Sequence, residues 1–232
     1  MRVLLLLACV VGAAALIARH NSSEAFTPAW VATAAVADVA VYPTPAAPEP
    51  TMHLTSPTAD GDPLVLLVAG TAKDVEKDDA WLPVHLPVRP NGSQGWVRAA
   101  DVTVSTNDYR ILIDLDDRKL TLTHEGEVVF KTAIGVGKDN TPTPGGIYYI
   151  DELIQPTEAN GLYGPFAYGL SGFSDSPAAA NFRGGDGALG IHGTNDPDSI
   201  GKQTSHGCIR VPNDVISHMA TILPLGTPVE IV

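Results

Sequence analysis

The chain has 232 residues, 44% of them hydrophobic and 17% charged, with 22 glycines and 19 prolines. That length suits one or two compact domains whose core needs no disulfide staples, and the composition excludes a collagen-like, coiled-coil or wholly disordered protein. Lys plus Arg is 14 against 26 Asp plus Glu, a net charge of −12 with no basic patch or tail, so nucleic acid and anionic membrane surfaces are poor partners.

The chain opens on Arg2 and an apolar run from Val3 to Ala18, followed by Arg19 and His20. A basic start and a hydrophobic stretch slightly short of the ~20 residues of a membrane span predict an export signal, or an uncleaved membrane anchor, over residues 1–25. Small residues Ala13, Ala14, Ala15 and Ala18 offer a cleavage site. Leu6-Leu7-Ala8-Cys9 faintly resembles a lipoprotein processing box, but too few residues precede Cys9 to complete one. Removing the leader leaves Cys208 as the single cysteine of an exported chain, either a buried small hydrophobe or a working thiol.

Short strands follow. Val31, Thr33, Val36, Val39 and Val41 alternate within Trp30 to Val41 and predict one or two strands. Pro43 to Pro63 carries six prolines and reads as a loop or linker. Leu64 to Val68 predicts a buried strand and Trp81 to Val88 another, bent or at an edge because of Pro83 and Pro87. Pro90 to Ser93 is a turn, and Gly95 to Val97 with Val102 to Val104 completes the unit. Charged turns at Asp60–Asp62 and Asp74–Asp79 separate these strands. A domain of this kind suits a small barrel, in which Trp81 and Trp96 serve as core anchors or as a ligand platform.

The second half begins near Asn107 and holds 17 of the 22 glycines, which suggests backbone passing close to backbone or ligand. Ile111–Ile113, Leu120–Leu122 and Val128–Val136 are hairpin-spaced strands separated by turns at Asp116-Asp117 and Glu125-Gly126. Thr141 to Gly146 (TPTPGG) breaks the pattern and Ile147 to Ile150 resumes it. Residues 151–187 read as loop, with Gly184 and Gly185 near the end. Leu189–Ile191 is a short strand ending at His192. A helix capped by Asn213 or Asp214 presents Ile216, Met219, Ala220 and Leu223 on one face and stops at Pro224. Val229 to Val232 is a last strand.

Chemistry concentrates in Ile191-His192-Gly193-Thr194-Asn195 and Ser205-His206-Gly207-Cys208-Ile209-Arg210. A free thiol is only slightly ionised at pH 7, and the thiolate is the nucleophile, so an imidazole must take the proton and a third group must hold its tautomer. Two histidines lie within 16 positions of Cys208, and Gly207 permits a tight turn before it. Spacing alone leaves a Cys–His nucleophilic site, a zinc site lacking a well-spaced fourth ligand, and chance as open readings. His53, His85, His124 and His218 carry no motif.

IHGTN followed by SHGCIR resembles the signature of the YkuD-type L,D-transpeptidases. TPTPGG at 141–146, YGPFAYGLSGFS at 163–174 and PLGTPVEIV at the C-terminus resemble the family's turn, flap and last strand, so the likeness covers about residues 107–232. Residues 31–104 resemble the SH3-like module of actinobacterial members. The resemblance implies a mainly β protein: a small SH3-like β-barrel over 30–105 with a Pro-rich insertion, then a YkuD-type β-sandwich catalytic domain with one or two short helices. It implies Cys208 as nucleophile, His192 as base and the Gly193 carbonyl as its orienter. It places His206, Ser205 and Arg210 in the site, with the Gly207 and Cys208 amides as oxyanion donors; Asn195 either touches substrate or fixes the loop after His192, and Tyr163 either belongs to a substrate flap or pins the Gly-rich loop. Two positions depart from some members: Arg210 stands where they carry Asn, and Gly193 where they carry Ser.

The implied activity is 3→3 cross-linking of peptidoglycan stem peptides by an exported enzyme, with release of D-Ala, no metal or organic cofactor, and acylation by carbapenems. Water as acceptor would make the same site an L,D-carboxypeptidase. A catalytically silent wall-binding protein is the reading from another class, and an uncleaved leader would be the one membrane contact.

Overall fold

The computed structural model describes residues 26–70, 80–176, 182 and 187–232. The leader, the turn at Asp74–Asp79, and Gly184 and Gly185 lie outside the described residues.

The amino-terminal half forms seven short strands: β1 (Ala29–Ala34), β2 (Asp38–Val41), β3 (Met52–Thr55), β4 (Val65–Leu67), β5 (Trp81–His85), β6 (Gln94–Arg98) and β7 (Val102–Asn107). Strand β1 lies between β4 and β7, antiparallel to both, and β2–β3 and β5–β6 are hairpins. Isolated bridges Tyr42↔Trp96 and Val68↔Val84 join the hairpins to the rest. Alternate residues point inward, as a pleated strand requires, so Val39, Val41, Leu82, Val84 and Val97 are buried together. Trp81 and Trp96 are only half-buried; Trp81 packs edge-on against Tyr42 at 4.8 Å, beneath the Arg98 guanidinium. The Pro43–Pro63 segment is not wholly loop. Met52–Thr55 pairs with β2 from Val41↔Met52 to Asp38↔Thr55, a strand made by its partner rather than by its own alternation.

The second half contains β8 (Tyr109–Asp114), β9 (Lys119–His124), β10 (Glu127–Ala133), β11 (Val136–Gly137), β12 (Gly146–Ile154), β13 (Ala167–Phe173), β14 (Ala188–His192), β15 (Gln203–Ser205), β16 (Ile209–Arg210), α1 (Asn213–Ile222) and β17 (Pro228–Ile231). Eight strands form one sheet in the order β10-β9-β8-β17-β12-β13-β14-β16. Strand β12 changes partner along its length, pairing with β17 over Gly146–Tyr149 and with β13 from Ile150 onward. Ile111, Ile113, Leu120, Leu122, Val229 and Ile231 fill the core by alternation, and α1 adds Ile216, Met219 and Leu223.

Three expectations need correction. Val128–Val136 is two strands, because the chain leaves β9 after Ala133 and β11 pairs in parallel with β15. Residues 151–187 hold a central strand, β13, whose alternation is hidden because six of its seven residues are buried. Neither Asn213 nor Asp214 caps α1. The cap position is Pro212, without a side-chain bond, because Asn213 Oδ1 accepts the Thr194 N–H at 2.7 Å.

The halves share packing. Tyr149 of β12 is fully buried in the amino-terminal core, and Leu225 packs against both cores. Asn107 Nδ2 donates to Thr227 Oγ1 at 3.0 Å across the junction.

Candidate active site

Strand β14 runs parallel to β16, with Ile191 opposite Ile209 and His192 opposite Arg210. That pairing collapses 16 positions of sequence into neighbouring strands, and Cys208 enters β16 one residue before the pairing begins. His192 is 3% exposed and its Nδ1 lies 2.5 Å from the Gly193 carbonyl. A carbonyl only accepts, so Nδ1 carries the proton and Nε2 the lone pair. Burial pushes the His192 pKa down to about 4, assisted by the Arg210 charge and opposed by the Gly193 bond. The imidazole is therefore neutral at pH 7.

Cys208 is 8% exposed and forms no disulfide. Burial raises its pKa to about 11, while a Gly190 backbone hydrogen bond and the Arg210 charge act the other way. Burial, the largest of these influences, thus favours the neutral thiol. Its hydrogen-bond partner is the Gly190 backbone. Cys208 packs with Ala167, Phe182 and Ala188, flanked by Ile154 and Tyr163. The Tyr163 ring stands edge-on to His192 at 5.0 Å and lies 5.3 Å from Phe182, tying the thiol's surroundings to the imidazole's.

The loop before Cys208 is fixed carbonyl by carbonyl. Thr141 Oγ1 donates to Ser205 O at 3.1 Å, Ser174 Oγ to His206 O at 3.2 Å, Thr143 Oγ1 to Gly207 O at 2.8 Å and Ser205 Oγ to Cys208 O at 2.6 Å. Thr143 Oγ1 also accepts the Gly137 N–H at 2.9 Å. Four successive carbonyls are held by four hydroxyls, which fixes each peptide plane. The Cys208 amide has no acceptor among the described residues, so it is available to a developing oxyanion. The Gly207 amide is not: it donates to Ser205 Oγ at 3.2 Å, correcting its assignment as an oxyanion donor. Gly207 has φ +123°, which a side chain would rarely adopt, and a Cβ there would meet Ser174 Oγ at 2.6 Å.

The remaining expected residues divide. Ser205 is 2% exposed and engaged wholly with the loop, so it positions the loop instead of meeting substrate. His206 turns outward, its Nε2 3.4 Å from Lys138 Nζ, and contributes its carbonyl rather than its ring. Asn195 is exposed on the loop after His192, where Thr194 makes the holding bonds, donating its N–H to Asn213 and accepting the Asp196 N–H at 3.0 Å. The Gly193 departure has a steric cause: a Cβ there would lie 2.4 Å from Asn213 Oδ1. Arg210 is largely buried, lies 3.7 Å from the Asp196 carboxylate, and has an Nε–H without an acceptor among the described residues. Thr143 and Ser174 escaped sequence reasoning as functional residues. TPTPGG marked the first only as a turn, and no local signal marks the second.

A cavity of about 670 Å³ opens against the thiol's surroundings, sharing Ile154, Tyr163, Ala167 and Phe182 with them. The buried Glu152 lies on its wall, and Thr58–Asp60 of the amino-terminal half contribute another side. Side chains able to hold a cation gather elsewhere, at Asp108, His124 and Glu125, whose ligand atoms lie within 4.8 Å of one another.

The chain is mainly β, with a buried cysteine entering the strand beside a carbonyl-oriented histidine. The family model for the YkuD L,D-transpeptidase catalytic domain matches residues 108–231, more than half of the chain, and the chain belongs to that family. The YkuD protein of Bacillus licheniformis is 40% identical over 127 residues, covering 54% of this chain and 67% of that protein. Bdellovibrio bacteriovorus Bd1075 is 29% identical with a TM-score of 0.42, over 54% of this chain and 48% of that one. The chain thus spans about half the length of that solved relative. The catalytic domain of the E. faecium L,D-transpeptidase acylated by ertapenem is 27% identical with a TM-score of 0.39, over 55% of this chain and 99% of that one.

Proposed function

We propose that this chain is an exported L,D-transpeptidase that makes 3→3 cross-links between peptidoglycan stem peptides through Cys208. The observation that carries the reading is the β14–β16 pairing, which brings His192, its lone pair on Nε2, alongside the entry of Cys208. In the first step the thiol loses its proton to Nε2 as sulfur attacks the carbonyl of the third residue of a donor tetrapeptide. The Cys208 amide receives the oxyanion, the C–N bond to D-Ala breaks, and the imidazolium returns its proton to the leaving amine. A thioester remains. The side-chain amine of a second stem attacks it, the C–S bond breaks, and the amide cross-link and the thiol result.

The pKa directions fit a neutral thiol–imidazole pair that transfers its proton only during attack. Arg210 favours the developing thiolate, and its guanidinium is the group assigned to a donor-peptide carboxylate. The cavity, walled by Ile154, Ala167 and Phe182 and carrying the Asp60 and Glu152 carboxyls, is assigned as the pocket for the acceptor amine. Export is assigned to residues 1–25; among the described residues, no helix is long and apolar enough to cross a membrane. The seven-stranded amino-terminal unit is read as the SH3-like module of the actinobacterial type.

The test is incubation of the purified chain with a disaccharide-tetrapeptide. Dimer formation with D-Ala release supports the transpeptidase. Release of D-Ala without dimer makes it an L,D-carboxypeptidase, and neither product, with no carbapenem adduct, makes it a wall-binding protein.

A further inference from the structure

Besides Thr58–Asp60 at the cavity, the amino-terminal unit meets the catalytic half near Cys208 through the turn Arg89-Pro90-Asn91, between β5 and β6. The Asn91 side-chain amide takes both backbone groups of Phe173 at the end of β13. Its Nδ2–H donates to Phe173 O at 2.8 Å and its Oδ1 accepts the Phe173 N–H at 2.9 Å. Arg89 donates to Ser174 O at 2.9 Å and to the Asp175 carboxylate at 3.1 Å, and its guanidinium lies over the Phe173 ring at 4.8 Å. The Arg89–Asp175 pair is open to water and contributes little; the bidentate amide supplies the geometry. Just beyond the amide stands Ser174, 2% exposed, whose Oγ accepts the Ser176 N–H at 3.1 Å and donates to His206 O.

The His206–Gly207 peptide is the joint most able to turn over, since it precedes a glycine at positive φ. A flip there exchanges the directions of the His206 C=O and the Gly207 N–H, and would withdraw that N–H from Ser205 Oγ, the hydroxyl that holds the Cys208 carbonyl. Ser174 holds the His206 carbonyl, and the 89–91 turn holds Ser174. We infer that Asn91 and Ser174 are positioning residues of the active site, so that the amino-terminal unit is part of the catalytic apparatus rather than a tethered accessory. The inference rests on the proposed role of Cys208 and extends it across the domain boundary.

Saturation kinetics of acylation by imipenem, followed by intact mass on the full chain, tests this, with melting temperature measured alongside. Ser174→Ala lowers the maximal acylation rate by about tenfold and Asn91→Ala by about threefold, with the half-saturating concentration little changed. The double variant matches Ser174→Ala, because both act through one peptide. Wild-type rates for Asn91→Ala, losses that multiply in the double variant, or a loss that only tracks a lower melting temperature each overturn the inference. Asn91→Asp keeps the acceptor for the Phe173 N–H and removes the donor; it serves where Asn91→Ala does not fold, and a wild-type rate there has the same meaning. Arg98→Ala, on the same unit but away from the turn, keeps the wild-type rate. Cys208→Ala separates the two failures: equal labelling of that variant defeats the nucleophile assignment itself.

Discussion

The two halves of the chain are built from similar strands but spend their interiors differently. Among the described residues, all eleven buried polar side chains lie at or beyond Asn107. The amino-terminal unit closes on Val, Leu and Ala, with Tyr42 and the inserted ring of Tyr149. A buried polar group is costly unless hydrogen-bonded, so a fold built only for stability has little reason to hold so many. In the second half they are concentrated around Cys208, where Thr143, Ser174, His192, Thr194 and Ser205 each fix backbone or hold a tautomer. One half is a packed body; the other uses part of its core to hold the loop before Cys208 in one arrangement.

That contrast can be broken most severely at the thiol. Cys208→Ala abolishes carbapenem labelling, and His192→Ala lowers the acylation rate by about 10²–10⁴-fold while the exposed His218→Ala leaves it near wild type. Equal losses for the two histidines would remove the base from β14. Next comes the seam. Tyr149→Ala costs roughly 3–5 kcal/mol, and because its ring fills the amino-terminal core from β12, the wild-type chain melts in one transition that the variant splits or lowers. Two transitions already present in the wild type would show the halves to be independent.

The pH dependence sharpens the comparison further. His192 has its folded pKa lowered to about 4 from 6.5, so below pH 6.5 the unfolded chain binds the proton first. Its contribution is present above that pH and falls by roughly 3 kcal/mol as pH drops toward 4. Denaturant melts should show a flatter profile over that window for His192→Gln than for wild type. Thr143→Val, which removes the donor to Gly207 O and the acceptor for the Gly137 N–H, costs about 1–3 kcal/mol by the same melts and slows acylation. The smallest effect belongs to the amino-terminal surface, where Asp38→Asn breaks an exposed contact with His53 and changes stability by under ~0.5 kcal/mol.

Much of this was legible along the chain, for particular reasons. Alternation predicts β8, β9 and β17 because one face of each is buried and the other is not. It misses β13, buried throughout, and β3, whose residues carry almost no pattern until β2 lies beside them. Asn213 reads as a helix cap because Asn satisfies free amides at helix starts, and here its oxygen is claimed by Thr194 instead.

At the site, two short motifs and their resemblance to the family point to Cys208, His192 and the Gly193 carbonyl, where spacing alone leaves a zinc site and chance open. Their surroundings are contributed by segments distant in sequence. The hydroxyls of Thr141, Thr143 and Ser174, the outward turn of His206, the engaged amide of Gly207 and the contact from Asn91 depend on which peptide faces which side chain. Residue types and spacing determined the chemistry available to this protein. Only the folded chain, by burial and by hydrogen bonds between residues up to 120 positions apart, decided that the thiol's pKa is pushed up and which amide of the loop has no acceptor among the described residues.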